Sequence, residues 1–152
     1  MLYAVLTLAL IALDQIVKYL VRANIGLGEV LDFLPHVMGL TYVQNTGAAF
    51  SMFSDHTWLL TLVSAAASAA VLFALARGSL KHPAGKAILS VILAGAVGNL
   101  IDRAWLGFVT DMFKTLFMDF AVFNVADICV VCGGIAFCVY ILFFYDKLEG
   151  NA

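Results

Sequence analysis

Two long runs of apolar residues contain no charged side chain. They cover Trp58–Ala76 and Ile128–Tyr145. Each run approaches the roughly 20 residues that an α-helix needs to cross the hydrocarbon core of a bilayer. A chain that is 64% hydrophobic and only 12% charged cannot bury such runs beneath an ordinary water-soluble surface. The sequence therefore predicts an integral membrane protein.

Two shorter apolar runs are expected to cross the membrane as well. Met1–Leu13 and Ala87–Ile101 reach spanning length only if the charged residues at their ends enter the membrane. The first run has no basic residue before it and no small-residue cleavage site after it, so we expect a retained helix rather than a cleaved signal peptide. The predicted helices cover residues 2–21, 57–76, 87–103 and 125–145, within one integral membrane domain over residues 1–152.

The charges between the predicted helices indicate an orientation. The segment 77–86 carries Arg77, Lys81 and Lys86 without any acid, which is typical of a cytoplasmic loop. Both termini would then be cytoplasmic, and segments 24–56 and 104–124 would lie outside. The stretch Val37–Gln44 resembles a strand and predicts a small β-ribbon. The predicted fold is an all-α membrane protein of four transmembrane helices, with an extramembrane β-ribbon between helices 1 and 2 on the outer side.

Charge and metal-ligand patterns argue against several classes of function. A formal net charge of -2 and the lack of basic runs argue against a nucleic-acid partner. The histidines His36, His56 and His82 are scattered and have no zinc-ligand spacing, so no metal site is expected. Cys129 and Cys132 lie inside the fourth apolar run, where small packing residues are expected rather than a redox dithiol.

Polar and charged residues, which are unfavourable inside a membrane, recur on one face of the first helix and on one face of the third. Asp14 and Lys18 are four positions apart, so they share a face and can neutralise each other where a lone charge is expensive. Asn99, Asp102 and Arg103 repeat at spacings of three and four on the third helix. We expect both sets to face the interior of the bundle.

Two further aspartates indicate hydrolytic chemistry. Asn124 and Asp127 open the fourth helix, and Asp111 lies in the preceding connection, where a short hairpin would return it to the same depth. Two facing carboxylates in a low-dielectric site cannot easily lose both protons, so one stays neutral and one is ionised. The ionised acid can activate water while the neutral acid polarises an amide carbonyl. Two unrelated interfacial acids would give the same pattern, and that alternative stays open here.

Three other functions are open to the same residues. Ser51 or Ser54 could pair with Lys18, although neither serine lies in a GxSxG turn. A small proton or ion transporter subunit would also place carboxylates within the membrane. That alternative needs a charged relay across the membrane, and mid-span positions such as Leu10 and Leu93 are apolar. In a purely structural subunit, the polar residues would serve only helix association.

Five motifs taken together resemble the lipoprotein signal peptidases, or signal peptidase II, which are bacterial aspartyl membrane proteases. The resemblance covers nearly the whole chain. It implies cleavage of a diacylglyceryl-modified prolipoprotein immediately before its lipid-bearing cysteine, at the outer face of the cytoplasmic membrane. The motifs that carry it are Asp14–Lys18, Asn45–Phe50, Gly98–Arg103, Val109–Asp111 and Phe123–Asp127.

The resemblance also implies roles for individual residues. Asp111 and Asp127 would be the catalytic pair. Asp102 is the competing acid, and we expect Asn99 and Arg103 beside it to keep it ionised, which suits an anchor better than a proton-sharing acid. No cofactor is implied, the partners would be the lipid-modified substrate and membrane lipids, and the protein would act as a monomer. The substrate-binding or site-supporting residues would be Asp14, Lys18, Asn45, Gly47, Asn99, Asp102, Arg103 and Asn124.

Three residues depart from the usual family pattern. Thr110 and Met112 flank Asp111 where valine and phenylalanine are usual, and Ala121 stands where proline is common. These departures concern the packing of the outer loop and of the lipid-side pocket rather than the acids.

Overall fold

A computed structural model describes residues 1–47 and 57–150. Residues 48–50 of the Asn45–Phe50 motif lie outside the described residues, as do Ser51, Ser54 and His56. Within the described ranges, 4 helices are long and apolar enough to cross a membrane, as predicted. They are α1 (Leu2–Asn24), α2 (Thr57–Arg77), α3 (Pro83–Leu106) and α4 (Val125–Glu149).

Helix α3 lies at the centre of the bundle. In the apolar 18-residue stretch of α3 that could span the membrane, 44% of the residues are buried, whereas in that of α2 only 6% are. The Thr7 hydroxyl donates a hydrogen bond to the Ser90 carbonyl at 3.3 Å, and further along both helices Gln15 donates to the Gly98 carbonyl at 3.1 Å. Since both sequence numbers rise together, α1 and α3 run parallel. The end of the bundle where they both finish is the end that holds the polar residues.

The beginning of α3 differs from the prediction. The helix begins at Pro83 rather than at residue 87, because the His82 ring nitrogen Nδ1 accepts a hydrogen bond from the Ala84 amide and the proline occupies the first turn. Lys86 therefore belongs to the helix and not to the loop predicted over 77–86. Apolar periodicity alone does not detect such a capped, polar first turn. The helix ends at Gly107, whose φ of 80° turns the chain toward the next strand.

Helix α4 consists of three consecutive pieces. A regular α-helix over Val125–Val139 continues through a π-helical turn, Tyr140–Phe144, into Tyr145–Glu149. Its first turn is fixed by a capping box formed by Asn124 and Asp127. The same two residues belong to the polar cluster described below.

The predicted ribbon is part of a sheet of three antiparallel strands. Strands β1 (Val30–Leu34) and β2 (Met38–Asn45) follow α1, and β3 (Val109–Thr115) comes from the connection between α3 and α4. Strand β2 is central, and its Val43 pairs with Asp111. Since β1 and β2 follow the end of α1 and β3 follows the end of α3, the sheet lies at the polar end of the bundle.

A backbone bridge returns the chain from β3 to α4. Phe113 and Phe123 form an antiparallel bridge in which the Phe113 amide donates to the Phe123 carbonyl at 2.8 Å and the reverse bond measures 3.2 Å. This bridge places Asn124, the first residue after it, beside the strand that carries Asp111. The hairpin that the sequence analysis required is thus present.

Candidate active site

Buried polar residues gather where α1, α3, β3 and the start of α4 meet. Each exposes 8% or less of its surface. Burial of this kind is expensive unless every polar group finds a partner. The set comprises Asp14, Lys18, Asn99, Asp102, Thr110, Asp111 and Asn124.

Asp111 lies on β3 and is 2% exposed. Its Oδ2 atom accepts a hydrogen bond from the Asn45 side-chain amide at 2.9 Å, and its Oδ1 atom accepts one from the Asn124 amide at 2.6 Å. Asn45 lies on the neighbouring strand β2 and Asn124 caps α4. The carboxylate is therefore held by two separate parts of the chain.

Asp127 occupies the first turn of α4. Its Oδ2 accepts from the Asn124 backbone amide at 3.1 Å, and its Oδ1 accepts from the Asn99 side-chain amide at 2.7 Å. The Asn124 side chain accepts in turn from the Asp127 amide at 2.9 Å. Asn124 therefore contacts both Asp111 and Asp127 and fixes them relative to each other.

The surroundings of Asp111 change its acidity. Burial raises the pKa of the Asp111 carboxyl to about 6, and the negative charge of Asp127 acts in the same direction. The amide hydrogen bonds from Asn45 and Asn124 and the charge of Lys18 oppose the rise. Asp111 is thus an acid that can hold a proton close to neutral pH, next to a second carboxylate.

Lys18 is the only charged side chain that contacts both supporting acids among the described residues. It is fully buried, with its Nζ atom 2.9 Å from Asp14 and 3.4 Å from Asp102. It also donates to the Asn99 side-chain oxygen at 2.9 Å. The spacing of four residues predicted the contact with Asp14, but the contact with Asp102 joins α1 to α3. One ammonium group thus neutralises acids on two helices.

The direct contacts of Asp102 are with residues other than Arg103. Its carboxylate accepts from the Gln15 side chain at 3.2 Å and from the Thr110 backbone amide at 2.9 Å, in addition to the contact with Lys18. Adjacent residues on a helix point in different directions, so the Arg103 side chain cannot share the face of Asp102. The expectation that Asp102 acts as an anchor fits these contacts. Arg103 makes none of them, but its charge still interacts with Asp102 electrostatically.

Arg103 joins other parts of the chain instead. Its Nη1 atom donates to the Ser64 hydroxyl on α2 and its Nη2 atom to the Gly47 carbonyl, both at 3.3 Å. The Gly47 amide donates to the Asn45 side-chain oxygen at 2.9 Å. Arg103 therefore connects α2 and α3 to the segment that presents Asn45 to Asp111.

Asp14 connects α1 to the start of α4. Its Oδ1 atom accepts from the Ala126 backbone amide at 2.9 Å, in the first turn of α4. Gly98 makes room for this contact, because a Cβ atom there would lie 2.6 Å from Asp14 Oδ2. All ten sequence-predicted site residues thus lie in one connected hydrogen-bond and ion-pair network.

Three site residues were missed by the sequence analysis. Gln15 donates to Asp14, Asp102 and the Gly98 carbonyl, and Arg22 donates to the Thr110 hydroxyl at 2.9 Å. Helical spacing was the available signal for Arg22, since it follows Lys18 by one turn. Thr110 appeared only as a departure from the family pattern. Gln15 lies within the Asp14–Lys18 motif, but no site role was predicted for it.

Comparison with known proteins identifies the family. A family model described as signal peptidase (SPase) II matches residues 6–143. The lipoprotein signal peptidase of Enterococcus faecalis is 39% identical over 145 residues, covering 95% of this chain and 89% of that protein. The lipoprotein signal peptidase of Clostridioides difficile is 39% identical over 147 residues, covering 97% and 99%.

Solved structures show the same fold. A bacterial membrane enzyme determined by the in meso method matches with a TM-score of 0.85 and 25% identity, covering 95% of this chain and 88% of that one. A second structure of this description gives a TM-score of 0.84. Fold and family together define a multi-pass bacterial membrane protein of the aspartic peptidase class. The chain belongs to the signal peptidase II family, which confirms the resemblance.

Proposed function

We propose that this protein removes the signal peptide from diacylglyceryl-modified prolipoproteins, cleaving immediately before the lipidated cysteine. The observation that carries the proposal is the joint hydrogen bonding of Asp111 and Asp127 to Asn124 at the end of a membrane-spanning bundle. The names of the relatives, lipoprotein signal peptidases, support this substrate class. The comparisons give no support to the alternative of an ion transporter subunit.

In the proposed mechanism the two aspartates share one proton. Asp127 lies in the first turn of α4, where backbone amides and the helix dipole stabilise negative charge. It is the ionised member that removes a proton from water. Asp111, with its pKa raised to about 6 by burial, is the member that donates a proton to the scissile carbonyl. The proton belongs to the pair as a unit.

Hydrolysis then needs no covalent intermediate. Water adds to the polarised carbonyl, Asp127 takes one of its protons, and Asp111 supplies a proton to the carbonyl oxygen. Asp127 then gives this proton to the amide nitrogen, and Asp111 takes one back from a hydroxyl group of the tetrahedral intermediate as the carbon–nitrogen bond breaks. The products are a free carboxyl group on the signal peptide and a free amine on the lipidated cysteine.

The other site residues hold this pair in place. Asn45 and Asn124 fix Asp111, while Asn99 and Asn124 fix Asp127. A second set of residues supports these asparagines: Lys18 contacts Asn99, and the Gly47 amide donates to Asn45. The same supporting set includes Asp14, Asp102 and Arg103.

We also propose that the site end of the bundle faces outward and that both termini are cytoplasmic. Arg77, Lys81 and Lys86 lie at the opposite end, near the loop between α2 and α3, and cytoplasmic ends are rich in such residues. At the site end Lys18 and Arg103 have contacts within the protein, so they do not act as free loop charges. The protein works as a monomer among membrane lipids.

Orientation is tested with single cysteines in a variant that lacks the native ones. A membrane-impermeant maleimide applied to intact spheroplasts should label a cysteine at position 119 and not one at position 79. Labelling of position 79 alone would invert the proposed orientation.

Activity is tested on a synthetic lipidated prolipoprotein. Asp111→Asn and Asp127→Asn should each abolish cleavage. The purified variants should still be folded, which a measurable unfolding midpoint shows. Asp119→Asn is the matched control, because this aspartate is exposed in the same connection and should leave cleavage unchanged. Cleavage by either dyad variant would overturn the assignment.

A further inference from the structure

A groove opens between α1 and α3 at the site end of the bundle. It has a volume of about 210 Å³. Neither proposed catalytic aspartate lines it, so it is distinct from the place where the peptide bond would be cleaved. Its walls are formed by Gln15, Arg22, Ile101, Asp102, Trp105 and Leu106.

The groove presents a cation that no carboxylate contacts. The hydrogen bond from Arg22 goes to the neutral Thr110 hydroxyl, and no carboxylate within residues 1–47 and 57–150 forms an ion pair with its guanidinium within 4.0 Å. Asp102 also borders the groove, but it is 1% exposed and already accepts from Lys18, Gln15 and the Thr110 amide. The accessible charge of the groove is therefore the Arg22 guanidinium.

The opposite wall is apolar and very exposed. Trp105 exposes 87% of its surface and Leu106 exposes 37%, in the last turn of α3. Ile101 lies one turn deeper on the face of Trp105, since it precedes it by four residues. Tryptophan at the end of a spanning helix marks the headgroup level of the membrane. Arg22, in the last turn of α1, lies at that same level.

We propose that this groove binds a phospholipid with an anionic headgroup. The headgroup phosphate contacts the free donors of the Arg22 guanidinium, whose planar fork matches phosphate oxygens. The glycerol region and the start of one acyl chain lie against Trp105 and Ile101. The site goes beyond peptide cleavage. It shares Gln15, Arg22 and Asp102 with the network that supports the catalytic pair, but neither Asp111 nor Asp127 lines it.

Charge and position support a lipid over a soluble phosphate compound as the occupant. Arg22 lies at headgroup depth, and the wall beneath it is made of side chains that favour hydrocarbon. A soluble phosphate ion would leave Trp105 and Ile101 uncovered. An anionic lipid satisfies the guanidinium and the apolar wall together.

Native mass spectrometry of the full chain tests the proposal. The protein is released from nanodiscs that contain equal amounts of dioleoyl phosphatidylglycerol and dioleoyl phosphatidylcholine, and the retained lipids are counted. The wild type should retain phosphatidylglycerol preferentially. Arg22→Gln should lower that retention about fivefold, the effect expected of one basic residue at a membrane surface, without changing phosphatidylcholine retention.

Two further variants make the outcome specific. Lys114→Gln removes an exposed cation from the same end of the protein, outside the groove, and should leave retention unchanged. Arg22→Lys keeps the charge and should retain more phosphatidylglycerol than Arg22→Gln. Equal losses in Arg22→Gln and Lys114→Gln, or wild-type retention in Arg22→Gln, would overturn the proposal.

The measurement is independent of proteolysis. Asp111→Asn should retain phosphatidylglycerol as the wild type does, even if it cleaves nothing. Failure of the lipid site and failure of the proposed peptidase activity are therefore seen in separate experiments.

Discussion

Carboxylates hold helices together at both ends of the bundle, but they are buried to different extents. At the site end Asp14 and Asp102 are almost fully buried and share Lys18. At the other end Glu149 accepts from the Tyr140 hydroxyl at 2.5 Å and from the Lys81 backbone amide at 2.6 Å, in a partly exposed position. Water can replace partners at the second end but not at the first, so the cost of losing one partner should differ greatly.

Replacing Lys18 by methionine should give the largest loss of stability. The change leaves Asp14 and Asp102 buried without their cation, which typically costs about 3–5 kcal/mol when one partner of a buried pair is removed. Reversible unfolding in mixed micelles measures this loss. Lys114→Met, at an exposed lysine on β3, is the control and should be close to neutral. A loss below about 1 kcal/mol for Lys18→Met would show that the buried acids do not depend on it.

Gly98→Ala should destabilise the site end by overpacking. The new Cβ would lie 2.6 Å from Asp14 Oδ2 and 3.2 Å from Ala126 Cβ, and such crowding typically costs about 1–3 kcal/mol. Gly134→Ala is the matched control, because nothing lies within 4 Å of a Cβ atom there. The same unfolding assay should show a loss only for Gly98→Ala, and equal behaviour of the two variants would contradict the packing described for α1, α3 and α4.

The pH dependence of cleavage should report the proton on the aspartate pair. Since the raised pKa of Asp111 lies at about 6, kcat/KM should fall as the pH rises through that value and the pair loses its shared proton. Asn45→Ala removes a donor that stabilises the ionised form, so the falling limb should move to higher pH. Gln44→Ala, at the exposed neighbouring position, should leave the limb in place.

The same shift has a consequence for stability. The folded state holds the Asp111 proton more tightly than the unfolded chain does, whose aspartates titrate near about 3.9. Stability from this group is therefore present at low pH and is lost as the pH rises from about 4 to about 6. For cleavage, a falling limb of the kcat/KM profile that is unchanged or at lower pH in Asn45→Ala would contradict the contact between Asn45 and Asp111.

Thr110→Val should have a modest effect at the edge of the site. It removes the acceptor of the Arg22 guanidinium but keeps the backbone amide that donates to Asp102. Loss of one such hydrogen bond typically costs about 1 kcal/mol, and cleavage should persist because the donors to Asp111 are untouched. Thr110→Ser should restore the unfolding free energy. Complete loss of cleavage in Thr110→Val would show that the departure from the family pattern is functional.

Glu149→Gln should have the smallest effect. Glutamine keeps an acceptor for the Tyr140 hydroxyl, and water reaches this end of the bundle. Cleavage should be unchanged, and the unfolding midpoint should shift less than in Thr110→Val. A larger shift than that would remove the distinction between the two ends.

Local patterns predicted the helices and part of the site. Charge-free runs identified α2 and α4, and the spacing of Asp14 and Lys18 predicted a pair that is present at 2.9 Å. Helical spacing relates residues within one helix, so it succeeded where both partners share a helix. It could not reveal that Lys18 also reaches Asp102 on α3.

Long-range contacts account for what the sequence analysis missed. Strand β3 forms because it pairs with β2 across more than sixty residues of chain, and strand preference depends on such partners more than on the segment itself. The adjacency of Asp102 and Arg103 in sequence suggested a pair, yet Arg103 contacts Ser64 and Gly47. Gln15 became a site residue only through α3, which no local pattern of α1 reveals.

In the capping box at the start of α4, one carboxylate serves both the folding of the helix and the proposed reaction. The carboxylate that accepts from the Asn124 amide and completes the first helical turn is the proposed base, Asp127. When this carboxylate takes a proton from water, it becomes a weaker acceptor for that amide. Each catalytic cycle would therefore weaken and then restore the hydrogen bond that caps the first turn of α4.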